Sequence, residues 1–386
     1  MREPPIAGPG DSSAGTPVAL EPATIVAGQH SRMRALVLSG GAGTRLRPFT
    51  YSMAKQLVPV ANTPVLVHVL RNIRDIGVEE VGLIVGDRAE QIRQVVGDGS
   101  AWGLRITYLR QAEPRGLAHC VQVAADFLGD EDFVMYLGDN VFVDGIAAAA
   151  TTFRRWRPDA HLVVTPVADP RQYGVAEIDV DGVVLDLMEK PARPRSDLAV
   201  TGVYFFTSAV HAAVRSIRPS RRDELEITDA LRHLIRTGHK VTAERYDGYW
   251  QDTGKIDDLL DCNRNMLDRI APAVHGDVDG TSELLGRVLV ESGARVTDSR
   301  LVGPLVVGAN TRIHNSRIGP YTAIGRDCVI SDSGVQDSIF LDGATLEGVD
   351  PLHHSVLGQG AEVRGAGDRN HSRLIIGDHT RAELPT

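Results

Sequence analysis

A glycine-rich turn near the start of the sequence has residue types suited to binding phosphate. Residues 38–46 read LSGGAGTRL and follow a short aliphatic run. Such a turn exposes backbone N–H groups at which a phosphate can sit. Its candidate binding residues are Gly40, Gly41, Gly43 and Thr44. The turn is neither a P-loop, which needs Gly-Lys-Ser/Thr, nor a dinucleotide fingerprint, which needs a third glycine where Leu46 stands.

Charged residues follow this turn and recur later in the chain. Arg45 ends the turn, and Lys55 comes ten residues later, so both are candidates for binding phosphate oxygens. Lys55 is one of only four lysines among 41 basic residues, which indicates a need for a compact ammonium. Asp139 ends a buried apolar run, and Asp252 is its expected partner. We expect these two to hold Mg²⁺, which proteins usually bind with one or two carboxylates plus substrate phosphates.

Strands that alternate with helices must position these residues. Four apolar runs predict strands buried on both faces, and two segments between them have helical spacing: 34–38, 81–85, 133–137 and 161–165, then 64–76 and 117–127. The alternation predicts an α/β domain over 33–270, doubly wound and Rossmann-like. In such a fold the ligand lies beyond the carboxyl ends of the strands.

The last hundred residues follow a different period. Aliphatic residues recur in steps of six, six and five, so equivalent positions return every 17 residues. The members are Val290, Val296, Leu301, Val307, Ile313, Ile318, Ile324, Ile330 and Val335, with Leu341 expected to continue the first column. Three short strands per coil, each with one inward aliphatic residue, predict a left-handed parallel β-helix over 285–386. The pattern weakens after Gly343, where only 356–358 and 375–377 suggest further coils.

Composition narrows the possible classes of protein. The 386 residues leave room for two domains, and the formal charge of -9 argues against nucleic acid as a partner. Three widely spaced cysteines indicate a reducing compartment. The sequence shows neither an apolar run of membrane-spanning length nor a secretion signal, so we expect a cytoplasmic protein. Residues 1–32 carry five prolines and no hydrophobic period, which predicts a disordered extension.

The glycine-rich turn and the basic residues after it are more specific together than either is alone. Residues 40–48 (GGAGTRLRP) together with Lys55 resemble the signature of the sugar-1-phosphate nucleotidylyltransferases, and the resemblance runs from Met33 to about Asp258. It implies that the glycine-rich turn and Gln56 bind a nucleotide. It also implies that Gln111 and the Gly116 backbone pair with the edge of a pyrimidine, since a carboxamide both donates and accepts and glycine allows a close backbone approach.

The resemblance also implies a sugar-binding side, formed by Asn140, Tyr173, Gly174, Glu189, Val200 and Trp250. Glu189 is implied to accept hydrogen bonds from sugar hydroxyls, and Lys190 and Arg222 to hold the sugar phosphate. Asp223 stands where many members have glycine, so Arg221 competes with Arg222 for that role.

Within the family, the motifs are most similar to those of the glucose-1-phosphate thymidylyltransferases, and the β-helix resembles their long form from deoxysugar and antibiotic-sugar pathways. The resemblance implies transfer of a thymidylyl group from dTTP to glucose 1-phosphate, with dTDP-glucose and pyrophosphate as products. Arg45, Lys55, Lys190 and Arg222 are then the catalytic cations, Mg²⁺ is the cofactor, and we expect a homo-oligomer without membrane partners.

Two other functions are compatible with the sequence. A bifunctional uridylyltransferase/acetyltransferase would use a catalytic histidine of the β-helix, for which His314, His353, His354 and His371 are available. A non-catalytic regulatory subunit would keep the fold and sense sugar nucleotides. It would be expected to lack the charged residues, which are all present here.

Overall fold

The computed structural model describes residues 32–41, 43–365 and 373–384. The predicted disordered extension, 1–32, lies outside the described residues except for Arg32. From Met33 onward an α/β domain is followed by a parallel β-helix. Within the described residues, no helix is long and apolar enough to cross a membrane.

The α/β domain is built on a mixed sheet. Its strands are β1 (Arg34–Leu38), β2 (Pro59–Val60), β3 (Thr63–Pro64), β4 (Glu80–Val85), β5 (Arg105–Arg110), β6 (Phe133–Leu137), β7 (Asn140–Phe142), β8 (Ala160–Pro166), β9 (Gly174–Ile178), β10 (Val184–Glu189), β11 (Leu198–Phe206), β12 (Val241–Arg245) and β13 (Trp250–Asp252). The sheet runs β10-β9-β11-β6-β1-β4-β5, with β8 paired to β11 and β12 paired to β8, while β2–β3 and β7–β13 form separate pairs. The predicted strands and the α/β fold are confirmed.

Helices cover both faces of this sheet. They are α1 (Val65–Asp75), α2 (Ala89–Val96), α3 (Leu117–Val123), α4 (Ala125–Leu128), α5 (Ala147–Trp156), α6 (Val210–Ser216), α7 (Ile227–Arg236) and α8 (Ile256–Leu267), with short 3-10 helices at Thr44–Leu46, Phe49–Tyr51, Lys55–Leu57, Ser100–Trp102 and Pro170–Gln172. On β1, Leu36 and Leu38 enter one core, whereas Ala35 and Val37 enter the core on the opposite face. Because this central strand is covered on both faces, its sequence is an uninterrupted apolar run.

The carboxyl ends of β1 and β6 lie side by side. The two strands are parallel, and Leu38 is in register with Leu137. The glycine-rich turn leaves β1 at the point where Gly138 and Asp139 leave β6. The topology thus brings the phosphate-binding turn and the predicted metal ligand to one edge of the sheet.

The second domain is a stack of short strands in three parallel sheets. Its strands are β14 (Ala273–Val274), β15 (Asp277–Val278), β16 (Glu283–Leu285), β17 (Val288–Val290), β18 (Arg295–Thr297), β19 (Arg300–Val302), β20 (Leu305–Val307), β21 (Arg312–His314), β22 (Arg317–Ile318), β23 (Thr322–Ile324), β24 (Val329–Ser331), β25 (Gly334–Gln336), β26 (Ile339–Phe340), β27 (Thr345–Glu347), β28 (Leu352–His353), β29 (Val356–Leu357), β30 (Glu362–Gly365), β31 (Ile375–Ile376) and β32 (Arg381–Leu384). From β14 to β30 every third strand pairs within one sheet, as the three-sided β-helix requires, and β31 and β32 extend two of the sheets by pairing with β29 and β30.

The 17-residue period is visible in the pairing. Val296, Ile313 and Ile330 lie in register on successive coils and are buried. Leu341 does not continue the first column, which corrects the expectation from the sequence. Phe340 pairs with Ile324 and fills the interior instead, because this coil is one residue shorter, and Leu341 faces the α/β domain. The first strands, from Ala273, precede residue 285 and lack the regular aliphatic pattern.

Serine side chains link successive coils at one corner. The Ser299 hydroxyl donates to the Thr297 carbonyl at 2.7 Å within its own coil and accepts from the Ser316 backbone N–H at 3.0 Å in the next coil. Ser316 and Ser333 repeat the arrangement. Each hydroxyl therefore uses its donor inside one coil and its acceptor between coils.

A buried interface joins the two domains. Phe49 and Val58 of the α/β domain pack with Ile339, Leu341 and Val356 of the β-helix. Each of the five side chains is buried. The interface has the packing of a domain core, so the two domains form one structural unit.

A buried amide orients this interface. Asn263 on α8 accepts a hydrogen bond from the Ala61 N–H at 2.8 Å and donates to the Tyr321 carbonyl at 3.1 Å. Asn62 donates to the Ile324 carbonyl at 2.6 Å. Because buried polar groups need their partners, these bonds fix the β-helix against the loop between β2 and β3.

Candidate active site

The turns after β1 and β6 approach one another too closely for a side chain between them. A Cβ atom at Gly138 would lie 2.6 Å from Ser39 Oγ and 2.8 Å from the Leu38 carbonyl oxygen. The Gly138 N–H donates to that carbonyl at 2.9 Å. Glycine is therefore required at residue 138, and it places Asp139 against the glycine-rich turn.

Lys55 lies between two carboxylates at this edge. Its Nζ atom is 2.5 Å from Asp139 Oδ2 and 3.5 Å from Asp252 Oδ1, and its side chain is 7% exposed. Arg45 approaches from the solvent side, with Nη2 4.0 Å from Asp252 Oδ2. Thr253 stabilises the position of Asp139 next to Asp252, because the Thr253 N–H and hydroxyl donate to the Asp139 carbonyl at 3.1 and 2.9 Å. The structure thus brings together four of the predicted site residues.

The three groups shift one another's pKa values. For Lys55, burial lowers the pKa, but the Asp139 and Asp252 carboxylates raise it above the ordinary lysine value. For Asp139, burial acts to raise the pKa, but the Lys55 ammonium and hydrogen bonds hold it below the usual range. Burial and the neighbouring Asp139 carboxylate raise the pKa of Asp252. Lys55 consequently stays charged at neutral pH.

A cavity of about 260 Å³ opens beside this centre. It is lined by predicted nucleotide-binding residues together with others: Leu38, Gly40, Gly41, Gln56, Gln111, Pro114, Gly116, Leu117, Cys120, Leu137, Asp139 and Glu224. Gln56 Oε1, which belongs to this lining, is buried without a hydrogen-bond partner among the described residues, which exclude residue 42. A buried oxygen without a partner is costly, and a bound ligand is one way in which it is satisfied.

The wall of the cavity at Gly116 is formed by close backbone packing. Gly116 has φ +97°, and a Cβ atom there would lie 2.5 Å from the Leu225 carbonyl oxygen. Leu225 pairs with the same turn, donating to the Arg115 carbonyl at 2.8 Å and accepting from the Ala118 N–H at 3.0 Å. Gln111 Nε2 lies 3.4 Å from the Gly116 carbonyl oxygen. Gln111 and the Gly116 backbone thus lie next to each other in this wall.

Asn140 connects the carboxylate centre to the predicted sugar side. Its Nδ2 donates to Asp139 Oδ1 at 2.9 Å, and its Oδ1 accepts from Trp250 Nε1 at 2.9 Å. Trp250 Nε1 also lies 2.9 Å from the Thr201 carbonyl oxygen. The Tyr173 ring meets the Trp250 ring edge-on, with centroids 5.6 Å apart. The aromatic pair is therefore oriented by the residue next to Asp139.

Glu189 lies opposite Gly174, its partner in the β9–β10 pair. A Cβ atom at Gly174 would lie 3.3 Å from Glu189 Oε2 and 3.9 Å from Val200 Cβ, so the three predicted residues are adjacent. Lys190 has φ +41°, and its N–H donates to the Tyr173 carbonyl at 3.0 Å. Its Nζ atom is 3.9 Å from Glu189 Oε1, and its side chain is 45% exposed.

Arg222 reaches the same carboxylate. It lies 3.3 Å from Glu189 Oε1, 2.7 Å from Glu224 Oε2 and 3.7 Å from Glu226 Oε1. Asp223 adopts φ +60°, a conformation that glycine takes readily and aspartate tolerates. The loop therefore keeps the backbone expected of glycine and points Arg222 at Glu189.

The predicted residues thus form two groups. Lys55, Asp139, Asp252 and Arg45 form one with the cavity, whereas Lys190 and Arg222 surround Glu189 in the other. Sequence reasoning missed the contributions of Thr253, Thr201 and Leu225. These residues act through backbone contacts with residues far away in the chain, and such contacts leave no local motif.

Comparisons with known proteins match the α/β domain or most of the chain. Residues 34–269 match the family described as nucleotidyl transferase. The glucose-1-phosphate thymidylyltransferases of Streptomyces griseus and Streptomyces antibioticus are 52% and 49% identical, and each alignment covers 91% of this chain and 99% of the relative. A crystal structure of a putative glucose-1-phosphate thymidylyltransferase from Bacillus anthracis, in complex with a sucrose, covers 62% of this chain and 97% of its own, at 31% identity and a TM-score of 0.58.

The packing at Gly116 gives a test of the cavity. We expect Gly116→Ala to weaken dTTP binding by about tenfold or more, because the methyl group must displace the Leu225 backbone and the φ is unfavourable. Isothermal titration calorimetry with dTTP measures the effect. Gly77→Ala is the matched control, because Gly77 also has a positive φ, +76°, but nothing lies within 4 Å of an added Cβ. Equal dTTP affinities of the two variants would contradict the placement of the nucleotide.

Proposed function

Because this chain belongs to the nucleotidyl transferase family, and within it to the glucose-1-phosphate thymidylyltransferases, we propose that its cleft transfers a thymidylyl group from dTTP to glucose 1-phosphate. The products are dTDP-glucose and pyrophosphate. The observation that carries the proposal is the Lys55 ammonium, held between Asp139 and Asp252 beside an amide-lined cavity.

The chemistry is a substitution at phosphorus. An oxygen of the sugar phosphate forms a bond to the α-phosphorus of dTTP, and the bond from that phosphorus to the bridging oxygen breaks, so that pyrophosphate leaves with the electron pair. Both substrates are anions, so the protein must align them in line and offset their repulsion. No group on the protein needs to become covalently attached.

The cations divide this work between the two groups of residues. Lys55 and Arg45, at the glycine-rich turn, face the triphosphate, where exposed N–H groups and two positive charges stabilise the developing negative charge. Lys190 and Arg222 hold the sugar phosphate. Both cations lie beside Glu189, which keeps them at the sugar side.

Base and sugar are recognised by the remaining residues. Gln111 and the Gly116 backbone pair with the thymine edge, and Gln56 offers a buried oxygen whose hydrogen-bond capacity a nucleotide can fill. Glu189 accepts from the sugar hydroxyls, and the Tyr173 and Trp250 rings, Gly174 and Val200 shape the sugar pocket. Asn140 orients Trp250 against Asp139.

Asp139 and Asp252 are suited to hold Mg²⁺. Both are hard oxygen donors, and both approach the single Lys55 ammonium, so their oxygens converge on one small region. Among the described residues, no group of three or more potential ligands forms a complete protein cage. Two carboxylates and substrate phosphates are the usual Mg²⁺ ligand set in such sites. When bound, Mg²⁺ would neutralise phosphate charge between the substrates.

The alternative functions have less support. The Streptomyces relatives match over nearly their full length and are named thymidylyltransferases, without a second activity. His354, one candidate for acetyl transfer, is engaged at the domain interface, with Nε2 3.3 Å from Asp257 Oδ1 of α8, and His371 lies outside the described residues. The assembled charged centre argues against a non-catalytic subunit. Cytoplasmic location, homo-oligomerisation and a role in deoxysugar or antibiotic biosynthesis stay predictions.

Pyrophosphate release across pairs of nucleotides and sugar phosphates tests the substrates. We expect the highest kcat/KM for dTTP with glucose 1-phosphate. We expect UTP to be poorer by roughly 10-fold to 100-fold, because a single methyl contact is worth only about 1–3 kcal/mol. Faster turnover of UTP with glucosamine 1-phosphate, together with acetyl-CoA consumption, would favour the bifunctional enzyme.

Removing charges from the centre tests the residue roles. We expect Lys55→Ala and Asp139→Asn each to lower kcat by roughly 100-fold to 1,000-fold, since Lys55 offsets phosphate charge and the Asp139 carboxylate orients Lys55 and is suited to hold Mg²⁺. Lys240→Ala, which changes an exposed lysine away from the site, is the control. Near-normal pyrophosphate release by Lys55→Ala would exclude the proposed role of the ammonium.

Removing divalent metal tests the cofactor. Excess EDTA should abolish pyrophosphate release, and added Mg²⁺ should restore it. Titration calorimetry of Mg²⁺ into the protein with dTTP should show weaker binding to Asp252→Asn than to the wild type, because one carboxylate ligand is lost. Full activity in EDTA would contradict the metal assignment while leaving the transfer reaction itself standing.

A further inference from the structure

The loop between the glycine-rich turn and Lys55, residues 47–54, is held by both domains. Phe49 is fully buried and packs in the inter-domain core with Ile339 and Leu341 of the β-helix. The nucleotide side of the α/β domain is therefore packed directly against the second domain.

The last described coil of the β-helix touches this loop through two adjacent residues. Gly377 lies against Pro48, where an added Cβ would be 3.0 Å from the proline Cβ. The next residue, Asp378, accepts a hydrogen bond from the Ser52 hydroxyl. Its other carboxylate oxygen accepts from the Gln359 N–H at 2.8 Å, within the β-helix. Asp378 therefore bridges a coil corner and the loop.

Helix α2 holds the loop from the other side. Gln91 donates to the Ser52 carbonyl at 2.6 Å and accepts from the Ala54 N–H at 2.8 Å. Arg88 donates to the Thr50 carbonyl at 2.9 Å. Ser52 is thus fixed through its backbone by α2 and through its side chain by the β-helix.

The loop is in direct contact with the phosphate-binding residues. The Thr50 hydroxyl donates to the Gly43 carbonyl at 2.7 Å. A Cβ atom at Gly43 would lie 2.9 Å from both Lys55 Cβ and Thr50 Cγ2, so the turn, the loop and Lys55 are packed without space between them. A displacement of the loop therefore shifts the turn and the ammonium together.

One side of the loop is not close-packed. Ser52, Met53 and Leu57 line a cavity of about 570 Å³ between the domains, which Asp378 also lines. Both partners of the hydrogen bond from Ser52 to Asp378 line this cavity. This hydrogen bond restrains the part of the loop that faces the cavity, because few van der Waals contacts hold that side in place.

We propose that Asp378 is a positioning residue for nucleotide binding: through Ser52 it fixes loop 47–54, and the loop sets the positions of Lys55 and the glycine-rich turn. Asp378 itself does not touch substrate. The inference rests on the proposed function, in which this turn and Lys55 bind the triphosphate. It gives the β-helix a role in the reaction at the other domain's site.

Steady-state kinetics of Asp378→Ala, Asp378→Asn, Ser52→Ala and the double alanine variant test the proposal. For Asp378→Ala and Ser52→Ala we expect the KM for dTTP to rise about threefold to tenfold, the size of one lost hydrogen bond. The KM for glucose 1-phosphate should stay unchanged. Asp378→Asn keeps an acceptor oxygen and should recover most of the loss, and the double variant should be no worse than either single variant.

Asp342→Ala is the matched control. Asp342 makes the same internal bond in the preceding part of the stack, accepting from the Arg326 N–H at 3.0 Å, and also lines the cavity. If Asp378→Ala and Asp342→Ala raise the KM for dTTP equally, or if both substrates' KM values rise together, the positioning role is wrong. Ser52→Ala decides the same question should Asp378→Ala fail to fold. A wild-type protein that releases no pyrophosphate would overturn the proposed function itself.

Discussion

A buried ammonium between two carboxylates is the interaction on which the site depends. Lys55 is almost withdrawn from water, and a charge so placed is stable only when groups of opposite sign face it. Asp139 comes from the turn after β6 and Asp252 from β13, while Lys55 follows the loop packed on the β-helix. The charge balance therefore holds together parts of the chain that are nearly 200 residues apart. Removing Lys55 would leave the two carboxylates facing each other without an ammonium between them.

The same balance explains how an acidic protein can bind two anionic substrates. The net charge of -9 describes the whole surface, whereas the positive groups of the site are few and each is matched in advance by carboxylates. Lys55 is paired with Asp139 and Asp252, and Arg222 with Glu189 and its neighbours. The cations are thus oriented before phosphate arrives, so little reorganisation is needed when it does. The raised pKa of Lys55 keeps its charge available throughout.

Sequence patterns predicted the parts of this structure that repeat or that leave a composition signature. The strand 34–38 was predictable because a strand buried on both faces is apolar throughout, and the 17-residue period because each coil repeats the same inward positions. Leu341 was misplaced because one coil is a residue shorter, and no periodic rule signals a deletion. The contact of Leu225 with Gly116 joins segments more than 100 residues apart, so only the folded chain shows it. Asp223, which differs from the family pattern, nonetheless takes the backbone conformation that glycine would have.

The serine hydrogen bonds between coils give the β-helix a regular repeat along its axis. Each coil repeats the bonds of the one before it, as Ser299, Ser316 and Ser333 do, so a coil could be added or removed without breaking the pattern inside the stack. Such a change would, however, move the end of the stack by about one strand spacing, ~4.8 Å. That step exceeds the reach of a hydrogen bond, and Gly377 and Asp378 would no longer meet Pro48 and Ser52. The number of coils is therefore constrained by the position of the loop in the α/β domain that the last described coil must reach.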